Sequence, residues 1–304
     1  MKIGHRLTLL LLFFLPLPLP AQQLVLEAEV GLRTERFDWS IADVDGSPNV
    51  LSELTWRDLR FTTLGLTAHY QLGPRLLLLG QLEYGQAHDG EVQDSDFLAD
   101  HRTGEFLRSI SSADGSELLG ISAAIGVPLE RVSQHWRLRA MPLAGLFRSS
   151  QRLRITDGVW IIPEAGGEIA GLDSRYDADW FGPWLGLELA AENVDGYGLS
   201  LMLARYAADY EADAYWNLRD TPAAGQYCLR RFEQWADGDG TRVALSGHYR
   251  FDRWRLVTTL SWSEWDTDTG TDRIYFCDGT VGDTRFNGAR RESTSVAVGV
   301  GYDF

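Results

Sequence analysis

The last ten residues, Ser-Val-Ala-Val-Gly-Val-Gly-Tyr-Asp-Phe, constrain the chain more tightly than any other segment. Counted by twos, Val296, Val298, Val300, Tyr302 and Phe304 form one set, and Ser295, Ala297, Gly299, Gly301 and Asp303 form the other. Successive side chains of a strand point to opposite faces, so one face here is wholly apolar with an aromatic end and the other is small or polar. Apolar outward and small or polar inward is the pattern of a strand in a transmembrane barrel.

The same period recurs along the chain. Leu24, Leu26, Ala28, Val30 and Leu32 alternate with Val25, Glu27, Glu29, Gly31 and Arg33, and similar runs fill 64–72, 119–129 and 243–251. Less regular copies lie at 75–87, 136–155, 178–192, 197–212 and 254–265. Alternation over such lengths signals strands rather than helices. Short turns fall at Gly73-Pro74, Glu130 to His135, Asn193 to Gly196 and Asp252-Arg253; long polar stretches fall near 41–50, 88–115, 156–177, 213–240 and 266–290. Four short and five long connections predict an all-β fold, a ten-stranded antiparallel transmembrane β-barrel with short periplasmic turns and five long extracellular loops.

The N-terminus predicts the destination. Lys2 and Arg6 precede the apolar run Leu7 to Leu15, and a cleavage position follows Ala21, which reads as a secretory signal peptide over 1–21 and a barrel over 22–304 in the bacterial outer membrane. Composition narrows the function classes. A net charge of −15, two units more negative without Lys2 and Arg6, excludes a nucleic-acid binder, which needs a basic footprint. Two cysteines support neither a disulfide-dense scaffold nor a cysteine zinc site, and no metal or cofactor is expected. Both cysteines, Cys228 and Cys277, fall in long connections of neighbouring strands, which predicts one disulfide formed in an oxidising compartment.

Strand parity turns Glu27, Glu29, Glu83 and Glu188 into the lumen, together with His69, Arg137, Arg139, His248, Arg250 and Arg255. Buried charges persist when paired, so the reading is a salt-bridged lumen that plugs the barrel.

Several segments resemble the omptins, outer-membrane proteases, and the C-terminal strand with its terminal Phe resembles that of bacterial outer-membrane barrels generally. Leu51-Ser-Glu-Leu-Thr-Trp-Arg57 is similar to an omptin Ser-Gln-Leu-Asp-Trp-Lys segment, and Val92-Gln-Asp-Ser-Asp-Phe97 to one carrying two acids one residue apart. Tyr176 to Leu187 resembles the run into the sixth omptin strand, and Glu211-Ala-Asp-Ala-Tyr215 falls where omptins carry Asp-x-His. Ser52-Glu-Leu-Thr-Trp-Arg-Asp58 together with Asp94-Ser-Asp96 also resembles the omptin-like barrels first named from chlamydia-related bacteria. The resemblance implies Asp94 and Asp96 as one acid pair facing a second pair, Asp213 and Tyr215, across the mouth, where omptins activate a water for peptide cleavage. Tyr215 stands in the histidine position, and a phenol titrating near pH 10 cannot serve as the neutral-pH base. His88 and His101 are the histidines of the acidic second loop. The strand that corresponds to the omptin lipopolysaccharide site carries Arg148, Arg152 and Arg154, and arginine pairs with phosphate, but the family's residue types are not kept at their places and that site is not carried over.

The resulting expectation is an omptin-like barrel with a degenerate protease site, binding ligands through acidic loops carrying Trp160, Trp216, Trp235 and Trp265. The alternatives are an endopeptidase for basic peptides with an altered base and, third, a small-solute channel. Expected partners are outer-membrane lipid, including lipopolysaccharide, and cationic peptides or proteins drawn by the negative charge; the oligomeric state is not legible.

Overall fold

The computed structural model describes residues 23–164, 166–219 and 228–304; the expected leader lies outside the described residues. The strands are β1 (Gln23–Ala42), β2 (Ser52–Gln71), β3 (Leu77–Ala99), β4 (Thr103–Ser112), β5 (Glu117–Gly126), β6 (Leu129–Val132), β7 (Trp136–Ile162), β8 (Gly167–Glu168), β9 (Asp173–Asn193), β10 (Tyr197–Tyr215), β11 (Leu229–Phe251), β12 (Trp254–Thr267), β13 (Gly270–Phe276) and β14 (Val281–Asp303). β4, β5 and β6 succeed one another along one stave of the wall, as do β12 and β13, and β8 is a short flap on β7. Ten antiparallel staves result. The ring closes where β1 pairs β14, with Val25 opposite Asp303 and Val30 opposite Val298, so neither terminal strand is left as an open edge.

The long polar stretches differ from the expected loops. Most of 88–115 is strand, with β3 and β4 joined across 100–102, and most of 266–290 belongs to β13 and β14. Polarity there does not end the alternation; it inverts it. On β1 the outward set runs Leu24, Leu26, Val30, Leu32 and then Arg36 and Asp38, while the inward set runs Glu27, Glu29, Arg33, Glu35 and then Phe37, Trp39 and Ile41. On β9, outward Leu185, Leu187 and Leu189 give way to Asp177 and Asp179, and inward Glu188 gives way to Trp184, Trp180 and Tyr176. Lipid demands an apolar outer face. Beyond the lipid the outer face meets water, and the hairpins stay upright by packing an apolar interior.

Two layers therefore fill the barrel. At the short-turn end several of the charges read as luminal are paired: Arg255 bridges Glu27 and Asp303 at 3.1 Å each, Arg139 meets Glu188 at 2.6 Å and Arg250 meets Glu192 at 2.6 Å. Higher up, Glu35 receives Arg33 at 2.8 Å and Arg291 at 3.1 Å, a buried triad that parity on β1 alone did not assemble. Above it lies the aromatic core, in which Phe37, Trp56, Tyr176, Trp180, Tyr210 and Phe286 are almost completely buried. Trp39 stacks on Tyr176 at 5.5 Å, Tyr210 on Phe286 at 5.7 Å, and Trp180 tilts against Tyr210 at 4.6 Å. Burying such a side chain contributes roughly 1.5–3 kcal/mol, so this layer anchors the long hairpins.

Candidate functional site

The position of Asp94 and Asp96 depends on paired bulges. In the lower half of β3 the odd residues Leu79, Glu83 and Ala87 face inward. The register with β2 then slips between Arg57 and Arg60 and again between Arg60 and Phe61. Asp58 takes φ 51° and Gly90 φ 155° at this step. At Gly90 a Cβ would also lie 2.7 Å from the Leu59 side chain, so glycine is required twice over. Past the bulges the inward set is even: Leu54 and Trp56 on β2, Val92, Asp94 and Asp96 on β3. A bulge shifts every following side chain to the other face, and here it brings two carboxylates inside.

They open into a cleft of about 240 Å³ at the long-hairpin end. Trp39, Leu54, Trp216, Phe232 and Ile274 supply apolar walls, while Arg219 and Asp272 are the other charged groups lining it. Burial pushes the Asp94 carboxyl up to about 7, Asp96 beside it pushes the same way, and Arg219 opposes both. Burial also raises Asp96, partly offset by a hydrogen bond with Ser52 and by Arg219. Asp272 is buried and raised by desolvation, but its oxygens are satisfied: Gln234 donates at 2.9 Å and Thr284 at 2.7 Å. Tyr176 in turn donates to Gln234 and shares a hydrogen bond with Tyr210, tying the cleft floor to the aromatic core. Trp39 is 3% exposed, and its indole N–H has no protein partner.

The second implied pair is not in this cleft. β10 keeps one parity along its whole length, with Leu199, Leu203 and Arg205 outward, and the same set ends in Asp213 and Tyr215. Asp213 meets Arg231 at 3.4 Å on the outer wall, where burial raises its carboxyl and Arg231 draws it back. The Arg175 guanidinium lies 5.7 Å from the Tyr215 ring centroid. The inward neighbours are Ala212 and Ala214, whose methyl groups carry no acid–base chemistry. His88 is exposed, and His101 sits in the β3–β4 turn, its backbone N–H donating to Asn49 at 2.7 Å. Among the described residues lining the cleft there is no histidine. Of the four aromatic residues expected on loops, Trp216 lines the cleft, Trp265 is buried in the core, Trp235 stacks under Arg273 at 5.1 Å, and Trp160 lies on β7 opposite Gly167 of β8.

Arg148, Arg152 and Arg154 do share the outer face of β7. Each is paired across to β9, Arg148 with Asp179 at 3.1 Å, Arg152 with Asp177 at 3.2 Å and Arg154 with Asp173 at 2.8 Å, so their charge is already opposed. Cys228 and Cys277 are joined as a disulfide with Cα atoms 5.4 Å apart, tying the β11 entry to the end of β13 beside the cleft. Among the described residues no group of three or more His, Cys, Asp or Glu is arranged to hold a metal ion. Asp272, Arg219 and Trp39 were not singled out from the sequence. Trp39 is the one parity could have found, because it continues the inward set of β1.

A match of the Protochlamydia outer membrane protein family extends over residues 27–304, nearly the whole described barrel. The chain belongs to that family. No curated protein matches the sequence. Among solved structures, this Protochlamydia outer membrane protein family member is similar to the outer membrane protease OmpT from Escherichia coli, with TM-score 0.75 and 12% identity over 93% of this chain and 97% of that one. It also matches the translocator domain of the autotransporter NalP from Neisseria meningitidis, with TM-score 0.39 and 12% identity over 92% and 88% of the two chains. At these identities the likeness to OmpT speaks for the fold. The family and this fold together make the chain an outer-membrane β-barrel.

Proposed function

We propose that the protein is a cell-surface ligand-binding barrel, delivered through the 1–21 leader, that takes a cationic group into the cleft at its extracellular mouth. The observation that carries this reading is the one-sided acid pair. Asp94 and Asp96 reach the cleft without the second implied pair, because Asp213 and Tyr215 face outward and Ala212 and Ala214 face inward, and the third acid of the cleft, Asp272, is already engaged by Gln234 and Thr284. Two desolvated carboxylates against one arginine attract a cation, and the surrounding apolar walls strengthen that attraction by excluding water. The negative charge of the chain steers cationic ligands towards the mouth.

The altered-base endopeptidase has one observation in its favour, the Asp94 carboxyl near 7, which is the range of a general base. The two readings separate in one experiment. The refolded barrel, with lipopolysaccharide added, is incubated with a lysine- and arginine-rich peptide, and both bound and total peptide are weighed by mass spectrometry. Binding with the peptide intact supports the receptor reading; cleavage abolished by Asp94→Asn establishes the endopeptidase.

A further inference from the structure

Three aromatic rings along the cleft stand nearly perpendicular to one another in sequence. Phe232 meets Trp39 edge to face at 5.9 Å and 70°, and meets Trp216 edge to face at 5.3 Å and 69°. All three line the same cleft as Asp94 and Asp96. Such a corner presents aromatic surface, and the acceptors beside it are the carboxylates of Asp94 and Asp96. A primary ammonium lodged there turns only part of its N–H groups to the carboxylates and leaves the rest against rings, whereas a quaternary ammonium has no N–H to satisfy. The adjoining carboxylates supply the counter-charge.

The other wall points to the rest of the ligand. Arg219 lines the cleft within electrostatic reach of both aspartates, and its backbone carbonyl is anchored by the Leu229 N–H at 2.8 Å. A cation held by the aspartates leaves the Arg219 guanidinium without a counter-charge. From the ring corner, the acid pair and Arg219, we propose that the cleft takes a quaternary ammonium bearing a compact anion a few bonds away, the chemistry of a phosphocholine group. This rests on the reading that the cleft binds cations, and goes beyond it in naming the class of cation.

The experiment uses the full barrel refolded in octyl glucoside, which has no choline group, and follows heat of binding for choline, ethanolamine, phosphocholine, phosphoethanolamine and tetralysine. Choline is expected to bind at least about tenfold more tightly than ethanolamine, and the preference to vanish in Phe232→Leu and in Trp216→Leu. Trp216→Leu serves if Phe232→Leu does not fold, since Trp216 follows the end of β10 and is only half-buried. Phosphocholine is expected to exceed choline, and Arg219→Gln to remove that increment. Ethanolamine binding as well as choline, with tetralysine also bound, overturns this proposal and leaves the cation-binding reading intact; failure of every ligand overturns both. Phosphocholine binding no better than choline overturns the anion half. The source is separated with the barrel held in phosphatidylglycerol nanodiscs. Capture of phosphatidylcholine vesicles, competed by free phosphocholine, supports a lipid headgroup, and binding of phosphocholine without vesicle capture supports a soluble ligand.

Discussion

Asp94 shows how a single residue is set by its surroundings. Its carboxyl is held near 7 by burial and by Asp96, so at neutral pH it is about half protonated. A bound cation needs the ionised form. Affinity for a cationic ligand should therefore fall as the pH drops below 7, by up to about tenfold per pH unit, and Asp94→Asn should flatten that dependence while weakening binding at pH 8. Calorimetric titrations on both sides of neutrality measure it; a profile unchanged by Asp94→Asn contradicts the assignment. The same shift has a stability consequence of opposite sense. The folded state holds the Asp94 proton more tightly than the unfolded chain does, so this contribution is complete below the ordinary carboxylate range and is lost as the pH rises through about 7. Asp94→Asn should consequently resist urea better than the parent protein at pH 8 and no better at pH 4. Motif resemblance makes Asp94 and Asp96 legible in the sequence. Their inward direction is not legible, because it depends on the slips at Asp58 and Gly90, and counting by twos from Leu77 assigns both to the outer face.

At the level of the strand, β10 supplies the reverse lesson. Its parity is unbroken from Leu199 to Tyr215, so the alternation itself turns Asp213 and Tyr215, the pair that the omptin resemblance implies across the mouth, to the outer face. Tyr215→His should therefore give no peptide cleavage, since the new imidazole stands on the outer wall beside Arg175; a gain of Asp94-dependent cleavage in a quenched-fluorescence assay would show that the strand can turn. The neighbouring pair β11 and β13 is clamped by Cys228–Cys277, separated by 49 residues, a link worth roughly 4 kcal/mol in the chain-entropy account. Leu229, Phe232 and Ile274 of these strands line the cleft. Reduction with dithiothreitol should loosen that wall and weaken ligand binding several-fold while the heat-modifiable migration of the folded barrel persists. If migration and binding are lost together, the bridge supports the whole barrel rather than the cleft.

Across the whole molecule, two fillings divide the labour. Paired charges satisfy the lower lumen, and the aromatic layer above closes it with side chains packed to near-complete burial. Reconstituted in planar bilayers, the protein should give no sustained ionic current; steady single-channel steps would show a path through the aromatic layer. The ten staves, the short turns and the charged lumen were legible because lipid and buried charge each impose a rule that repeats every second residue. The upright hairpins were not, since exposed polar residues on one face of a strand resemble a loop until the inverted apolar face, Phe37, Trp39 and Ile41 on β1, is counted with them. The cleft was legible only in its acids. Asp272 and Trp39 join it through contacts between staves distant in sequence.

The central claim is that Asp94 and Asp96 form a binding site, and it is tested most directly by titrating tetralysine and phosphocholine into the Asp94→Asn/Asp96→Asn protein. The account predicts loss of at least about a hundredfold in affinity for whichever ligand the parent protein binds, with heat-modifiable migration unchanged. Affinity equal to that of the parent protein would contradict it.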